Sequence, residues 1–279
     1  MAVAEPDQHL SDRIARLTDR RRIAILPVRG VIGGALRTEE LIRLLGHARR
    51  DRHICAVLLE IDSPGGSATA SEALYLAVKR VAAVKPVVAW IRGTGASGAY
   101  FLACGASRIL SFPSAIVGSI GVISVRPVAV EALRRLGANV VVTKTGPLKD
   151  LGAPWREPND ADLQKERELV DAVFKRFTGA VRMARGFDDT ALARVTTGEV
   201  WLGANAVDLG LVDALADDED AALGVTQDLA ALPHRWTKRL STRRSVLQRL
   251  GMPGAGMGPP GERWIAEIEG WLRVPRVRA

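Results

Sequence analysis

Two apolar runs of strand length, each broken by small or turn-forming residues, constrain this chain most. Ile54-Cys-Ala-Val-Leu-Leu-Glu-Ile61 leads into Asp62-Ser-Pro-Gly-Gly66, and Pro86-Val-Val-Ala-Trp-Ile91 leads into Arg92-Gly-Thr-Gly-Ala-Ser97-Gly-Ala-Tyr-Phe101. A strand that is apolar without alternation is buried on both faces, which points to a parallel sheet covered by helices. Helical spacing follows the first run at Ala70, Leu74, Ala77, Val78 and Val81, and a small-residue helix follows the second. Ile23–Val28 reads as an earlier strand, followed by a turn at Gly33-Gly34 and a helix with Thr38 as N-cap. Further short strands are expected at Ser107–Phe112, Ile116–Val122 and Ala138–Thr143, the last two separated by a helix at about 126–136. Asn159 or Asp160 caps a long helix with Leu163, Val170, Phe174, Phe177 and Val181 on one face. Strands alternating with helices imply an α/β domain with right-handed crossovers.

The 279 residues divide into an N-terminal arm (1–21), one large domain (22–232) and a basic C-terminal extension (233–279). The extension holds a Gly/Pro/Met linker at 251–261 and a stripe of Trp264, Ile265, Ile268, Trp271 and Leu272 on an amphipathic helix. With 47% apolar and 25% charged residues the chain is globular. No run of about 18 apolar residues is present, so no transmembrane helix is expected. Glu5 and Asp7 stand where a signal peptide would carry bases, so a cytoplasmic location is expected. Residues 235–250 carry six bases and no acid, with Trp236, Leu240, Val246, Leu247 and Leu250 between them. That pattern suits peripheral contact with an anionic membrane at its inner face, or a solvated basic surface. No nucleic-acid recognition motif accompanies the net charge of +8. Cys55 and Cys104 read as two buried free thiols, and no Cys/His spacing suits a metal.

Ser97, on a strand-to-helix elbow, is a candidate nucleophile. The four histidines, His9, His47, His53 and His234, lie in polar or charged settings, which argues against a Ser-His-Asp triad. A lysine can serve as base if burial keeps it neutral, since an ordinary lysine titrates near about 10.4. Lys149, in Thr145-Gly-Pro-Leu-Lys149-Asp150, is the candidate, provided that Asp150 points elsewhere; spacing alone favours an exposed loop lysine instead. Gly98 follows the nucleophile and Gly66 ends the other run; both offer unobstructed backbone N–H groups for an oxyanion. Ser119, in Val117-Gly-Ser-Ile-Gly-Val122, is placed to orient a lysine amine or to bond its own backbone. Ser63 is a weaker nucleophile candidate, because Pro64 and two glycines suit a backbone lining.

Ser-Pro-Gly-Gly, Ala-Ser-Gly-Ala-Tyr-Phe, Gly-Ser-Ile-Gly-Val, Gly-Pro-Leu-Lys-Asp and Ala206-Val-Asp-Leu-Gly-Leu-Val-Asp213 occur in this order between about 23 and 215. Together they resemble the signal peptide peptidase A family of serine peptidases. The resemblance implies a ClpP/crotonase-like fold of repeated ββα units, here with a C-terminal helical extension. It implies Ser97 as nucleophile, Lys149 as general base, Ser119 as the lysine's hydrogen-bond partner, and Gly66 and Gly98 as oxyanion-hole amides. No cofactor or metal is implied. Homo-oligomers are, along with cleavage of peptides with small or apolar residues, such as remnant signal peptides. Gly-Ala-Tyr-Phe replaces the family's usual Gly-Gly-Tyr-Tyr, and no N-terminal membrane anchor is seen, which puts the membrane substrate in doubt but not the chemistry. Two other readings share the fold or the setting: a crotonase-type acyl-CoA enzyme, and a non-catalytic scaffold in membrane protein quality control.

Overall fold

The computed structural model describes residues 21–241. The arm to residue 20, the linker and the amphipathic C-terminal stripe lie outside the described residues. The first half of the fold comprises β1 (Arg22–Arg29), α1 (Thr38–Arg50), β2 (Ile54–Ser63), α2 (Ala68–Ala82), β3 (Val87–Ala96), α3 (Gly98–Ala103), β4 (Arg108–Ser111) and β5 (Ile116–Gly118). Next come α4 (Val130–Arg135), α5 (Asp160–Arg185), α6 (Asp189–Val195) and β6 (Val200–Leu202). The described chain closes with α7 (Gly203–Asp208), β7 (Ala214–Leu215), α8 (Glu219–Leu229) and β8 (Thr237–Arg239).

The strands form one sheet ordered β6-β5-β3-β2-β1-β8, with β4 beside β3 and β7. Every pairing is parallel except β5 with β6. β3 changes partner along its length: Val88–Ile91 pairs with β4, and Thr94–Ala96 pairs with β5. Because successive residues face opposite sides of a sheet, the two continuous runs feed two cores. Leu26, Leu59, Ile61 and Ile91 pack with Leu74 and Tyr100 from the helices. Ile25, Leu58, Val88 and Trp90 pack with Ala222 and Leu223 of α8.

Several local expectations change. Thr38 is the first residue of α1; Arg37 holds the cap position and makes no side-chain cap bond. β5 stops at Gly118, where Gly118 (φ 112°) and Ser119 (φ 51°) turn the chain. Residues 138–143 form no strand, and Val140, Val141 and Val142 are 48%, 92% and 42% exposed. A strand needs a ladder partner, and both edges of β5 are already taken by β3 and β6. Cys104 is buried, which pushes its thiol up to about 12, whereas Cys55 is only half-buried. Asn159 caps α5 through a reciprocal capping box with Asp162. Of the face expected on that helix, Phe177 and Val181 are buried, but Leu163 is exposed.

The start of the basic segment belongs to the fold. β8 pairs with β1, Arg239 bonds both Glu60 and Glu219, and Arg235 pairs with Asp220. Among the described residues no helix is long and apolar enough to cross a membrane.

Candidate active site

The end of β3 is shaped by crowding. A Cβ on Gly93 would stand 2.5 Å from the Asp62 carboxylate, and one on Gly95 would stand 2.7 Å from the Ile91 side chain. Ser97 follows with φ 51° and ψ −123°. A non-glycine residue there costs of order 1–3 kcal/mol and persists only where its surroundings fix it. Here they do. The Ser97 N–H donates to the Gly118 carbonyl at 2.8 Å, and its own carbonyl accepts from the Phe101 N–H at 2.9 Å.

The helix behind the elbow is firmly held. All six residues of α3 are buried. The Tyr100 hydroxyl donates to the Leu211 carbonyl at 2.8 Å. Phe101 stacks on Phe177 at 4.8 Å between ring centroids and lies 5.0 Å from Tyr75. Phe at this position is thus an apolar bridge between α2, α3 and α5.

The glycine bend after β2 lies against the elbow. A Cβ on Gly65 would fall 2.7 Å from the Gly98 nitrogen, and one on Gly98 would fall 3.5 Å from the Gly66 nitrogen. Gly66 forms a parallel bridge with Ile32. In it the Ile32 N–H donates to Gly65 and the Ser67 N–H donates to Ile32, so the Gly66 N–H points away from Ile32. The Gly98 N–H opens a helix and has no acceptor within it. Two backbone donors therefore stand side by side next to Ser97. Neither glycine admits a side chain. A Cβ on Gly66 would meet the Ile32 carbonyl at 2.1 Å, and one on Gly98 would meet the Ser71 Oγ at 2.1 Å.

Ser119 occupies the neighbouring strand end. Ala96 pairs with Gly118, so Ser97 and Ser119 follow matched positions, and both have φ 51°. The Ser119 N–H donates to the Glu199 carbonyl at 2.6 Å. The structure thus brings Ser97, Ser119, Gly66 and Gly98 to one end of the sheet.

Lys149 differs from the buried base expected of it. It sits on a turn in which its N–H donates to the Gly146 carbonyl at 3.2 Å, and its side chain is exposed. Among the described residues it makes no hydrogen bond to Ser97 or Ser119. Its neighbour Asp150 does point elsewhere: it bonds Lys144 and Arg156. The hydrogen bonds from Arg156 and then Lys144 hold the Asp150 carboxyl well below the usual carboxylate range. Arg156 also bonds the buried Asp162, whose carboxyl it draws down to about 2. Arg156 therefore ties the Lys149 turn to the start of α5.

Sequence reasoning missed three supporting groups. Ser71 of α2 donates to the Ser67 carbonyl at 2.8 Å and packs under Gly98. Ile32 pins Gly66. Arg156 is the hub just described. Only the last left a sequence trace, in the Asn159/Asp162 capping spacing. Ser63 lines backbone rather than opening to solvent. Among the described residues no cluster of His, Cys, Asp or Glu could hold a metal.

A parallel-rich sheet with a strained serine at a strand end, faced by backbone amides, is an α/β architecture of the ClpP/crotonase-like kind. The peptidase family S49 model matches residues 79–232, and the Clp protease family model matches residues 6–117. The chain belongs to peptidase family S49. It is 33% identical over 180 residues to a putative protease, MJ0651, of Methanocaldococcus jannaschii, covering 64% of this chain and 58% of that one. It is 31% identical to the putative protease slr0021 of Synechocystis sp., covering 74% of each. It is 36% identical to Protease 4 of Salmonella typhi, covering 62% of this chain and 28% of that protein. The chain thus spans little more than half of the first of these relatives and under a third of the last. A solved mutant of the 1510-N membrane-bound stomatin-specific protease shares the fold, with a TM-score of 0.52 at 15% identity, covering 80% of this chain and 99% of that one.

Proposed function

We propose that this chain is a serine endopeptidase with a Ser97–Lys149 dyad. The observation that carries the reading is the strained Ser97 elbow facing the Gly66 and Gly98 amides. The Ser97 Oγ attacks the peptide carbonyl carbon while neutral Lys149 takes its proton. The oxyanion receives the Gly66 and Gly98 N–H groups, and Ser119 orients the lysine amine. The lysine ammonium then protonates the leaving amine; the neutral Lys149 amine so formed deprotonates a water that attacks the acyl carbon, and returns that proton to Ser97 Oγ as the acyl bond breaks. Peptides with small or apolar residues, such as remnant signal peptides, are the proposed substrates. That choice draws support from relatives such as the putative signal peptide peptidase of Enterococcus faecium.

A second copy of the chain is part of the proposal. Lys149 must be desolvated to act as a base, and one chain leaves it exposed. The same stretch exposes Ile123 (86%), Val125 (64%), Leu136 (81%) and Val141 (92%), apolar surface that self-association would cover. Contact of 235–250 with an anionic membrane rests on bases other than Arg235 and Arg239, which the fold engages. Failure to sediment with anionic vesicles at low salt would remove that contact.

The deciding experiment compares Ser97→Ala and Lys149→Ala on a chromogenic peptide. Both are expected to abolish hydrolysis while retaining fold and assembly, and wild-type activity is expected to rise with pH as the base loses its proton. Full activity in Lys149→Ala would remove it as base. Labelling of Ser97 by a fluorophosphonate separates a peptidase from a non-catalytic scaffold.

A further inference from the structure

Ser63 takes no part in the steps above, yet it is fully buried beside the strand ends that build the site. Its hydroxyl donates to the Gly30 carbonyl, just past β1, at 2.6 Å. The same oxygen accepts from the Gly65 N–H at 3.2 Å. Ser63 also pairs with Gly95, two residues before Ser97. Its side chain therefore links the end of β1 to the bend that carries Gly66, while its backbone pairs with the nucleophile strand β3.

That bend needs such a link. Gly65 and Gly66 have φ of 100° and 146°. Two consecutive glycines have more backbone freedom than any other pair, so their direction must be imposed from outside. Ile32 holds the far side through the Gly65 carbonyl and the Ser67 N–H. On the near side the Gly65 N–H has the Ser63 hydroxyl. Asp62 ties the same end of β2 to β3, its Oδ1 accepting from the Thr94 N–H at 3.0 Å. The brace falls where β2 and β3 slip register: Ile61 faces Ile91, but Ser63 faces Gly95.

We propose that Ser63 is a positioning residue for hydrolysis: its hydroxyl locks the Gly65-Gly66 bend so that the Gly66 amide stands beside the Gly98 amide before substrate arrives. The proposal rests on the Ser97 reading above. A role for Ser63 as nucleophile is disfavoured by its burial and by its 2.6 Å bond to Gly30. Misaiming one oxyanion donor raises the barrier without weakening ground-state binding, so the loss should fall on kcat.

The test uses Ser63→Ala and Ser63→Thr in the full chain, with steady-state kinetics on a chromogenic peptide and mapping of a fluorophosphonate label. Ser63→Ala is expected to lower kcat by about 10- to 100-fold with KM within about twofold, an unshifted pH profile and the label still on Ser97. Ser63→Thr, which keeps the hydroxyl, is expected to recover most of kcat. If Ser63→Ala does not fold, Ser63→Cys keeps the volume with weaker hydrogen bonds and carries the same expectation. Wild-type kcat in Ser63→Ala, a loss confined to KM, no recovery in Ser63→Thr, or a label on Ser63 would overturn the proposal. An active Ser97→Ala would sink the parent reading; an inactive Ser97→Ala beside a fully active Ser63→Ala would sink only this one.

Discussion

The nucleophile half of the site and the base half are built by opposite means. Ser97 sits between buried strands and a wholly buried helix, and its own N–H and carbonyl both have backbone partners. Lys149 sits on a stretch whose only helix is six residues long with none of them buried, and where Ile123, Val125, Leu136 and Val141 face outward. One half is finished within a single chain and can hold strain. The other has its ion-pair hub in place but lacks a cover. Strain of the Ser97 kind survives only where packing over-determines it, whereas a lysine base needs desolvation that a second surface can supply.

The largest expected effect breaks the finished half. Gly66→Ala places a methyl group 2.1 Å from the Ile32 carbonyl, at a φ of 146° that alanine rarely adopts. Activity should fall at least about 100-fold, with a stability loss of roughly 1–3 kcal/mol or more, read by peptide hydrolysis and thermal melting. Gly146→Ala in the other half meets nothing within 4 Å and should melt like wild type. Equal stability losses at the two sites would erase the contrast.

The next effect tests the missing cover. Val141→Asp puts a charge on a residue already 92% exposed. For an isolated chain such a change is worth within about 0.5 kcal/mol. If a second copy covers this stretch, Val141→Asp should instead reduce assembly size in sedimentation and lower activity by about tenfold or more, reflecting a buried unpaired charge. Wild-type activity per chain should likewise fall on dilution. An unaltered assembly with full activity would show that the stretch stays open and Lys149 is activated otherwise.

How far the sequence foretold each half follows the same division. Continuous runs such as Ile54–Ile61 announce strands because burial on both faces leaves one composition. Glycines at 66 and 98 announce close backbone approach because nothing larger fits. Ala138–Thr143 has the composition of a strand but finds no ladder partner, which a local pattern cannot show. Whether Lys149 is covered is illegible in sequence for a similar reason: a residue's solvent depends on surfaces far away in the chain or on another chain. The Arg156 hub lay in long side chains whose partners are set by loop geometry rather than by periodicity.

Arg156→Met probes that hub and should have an intermediate effect. It leaves the buried Asp162 without its guanidinium and frees Asp150 from one of two cations. Activity should drop severalfold, because the Lys149 turn loses its tie to α5. The pH dependence is specific. Both carboxyls are held below their ordinary values, so their contribution is present above about pH 4 and is lost as pH falls towards about 2. Wild type should lose stability across that window, whereas Arg156→Met should start lower and show a shallower slope. Identical acid melting curves would detach the hub from stability.

The smallest effect lies far from the comparison's weak half, at the opposite edge of the sheet. Glu60 is 2% exposed and accepts from Arg29, Arg92 and Arg239. Burial alone would push its carboxyl up, but the three guanidinium groups outweigh it and hold it down. Arg239→Ala removes one of the three, and Arg239 is itself 46% exposed, so solvent screens much of its pairing. Glu60 keeps two cations, and no charge is left buried without a partner. The expected cost is about 1 kcal/mol, a melting shift of roughly 2–4 °C that shrinks in high salt. Hydrolysis should be unchanged, since β8 pairs with β1 and the elbow is held by β2, β5 and α3. A marked activity loss would mean that the sheet carries a disturbance from β8 to Ser97, and the nucleophile half would then depend on the basic extension rather than stand alone.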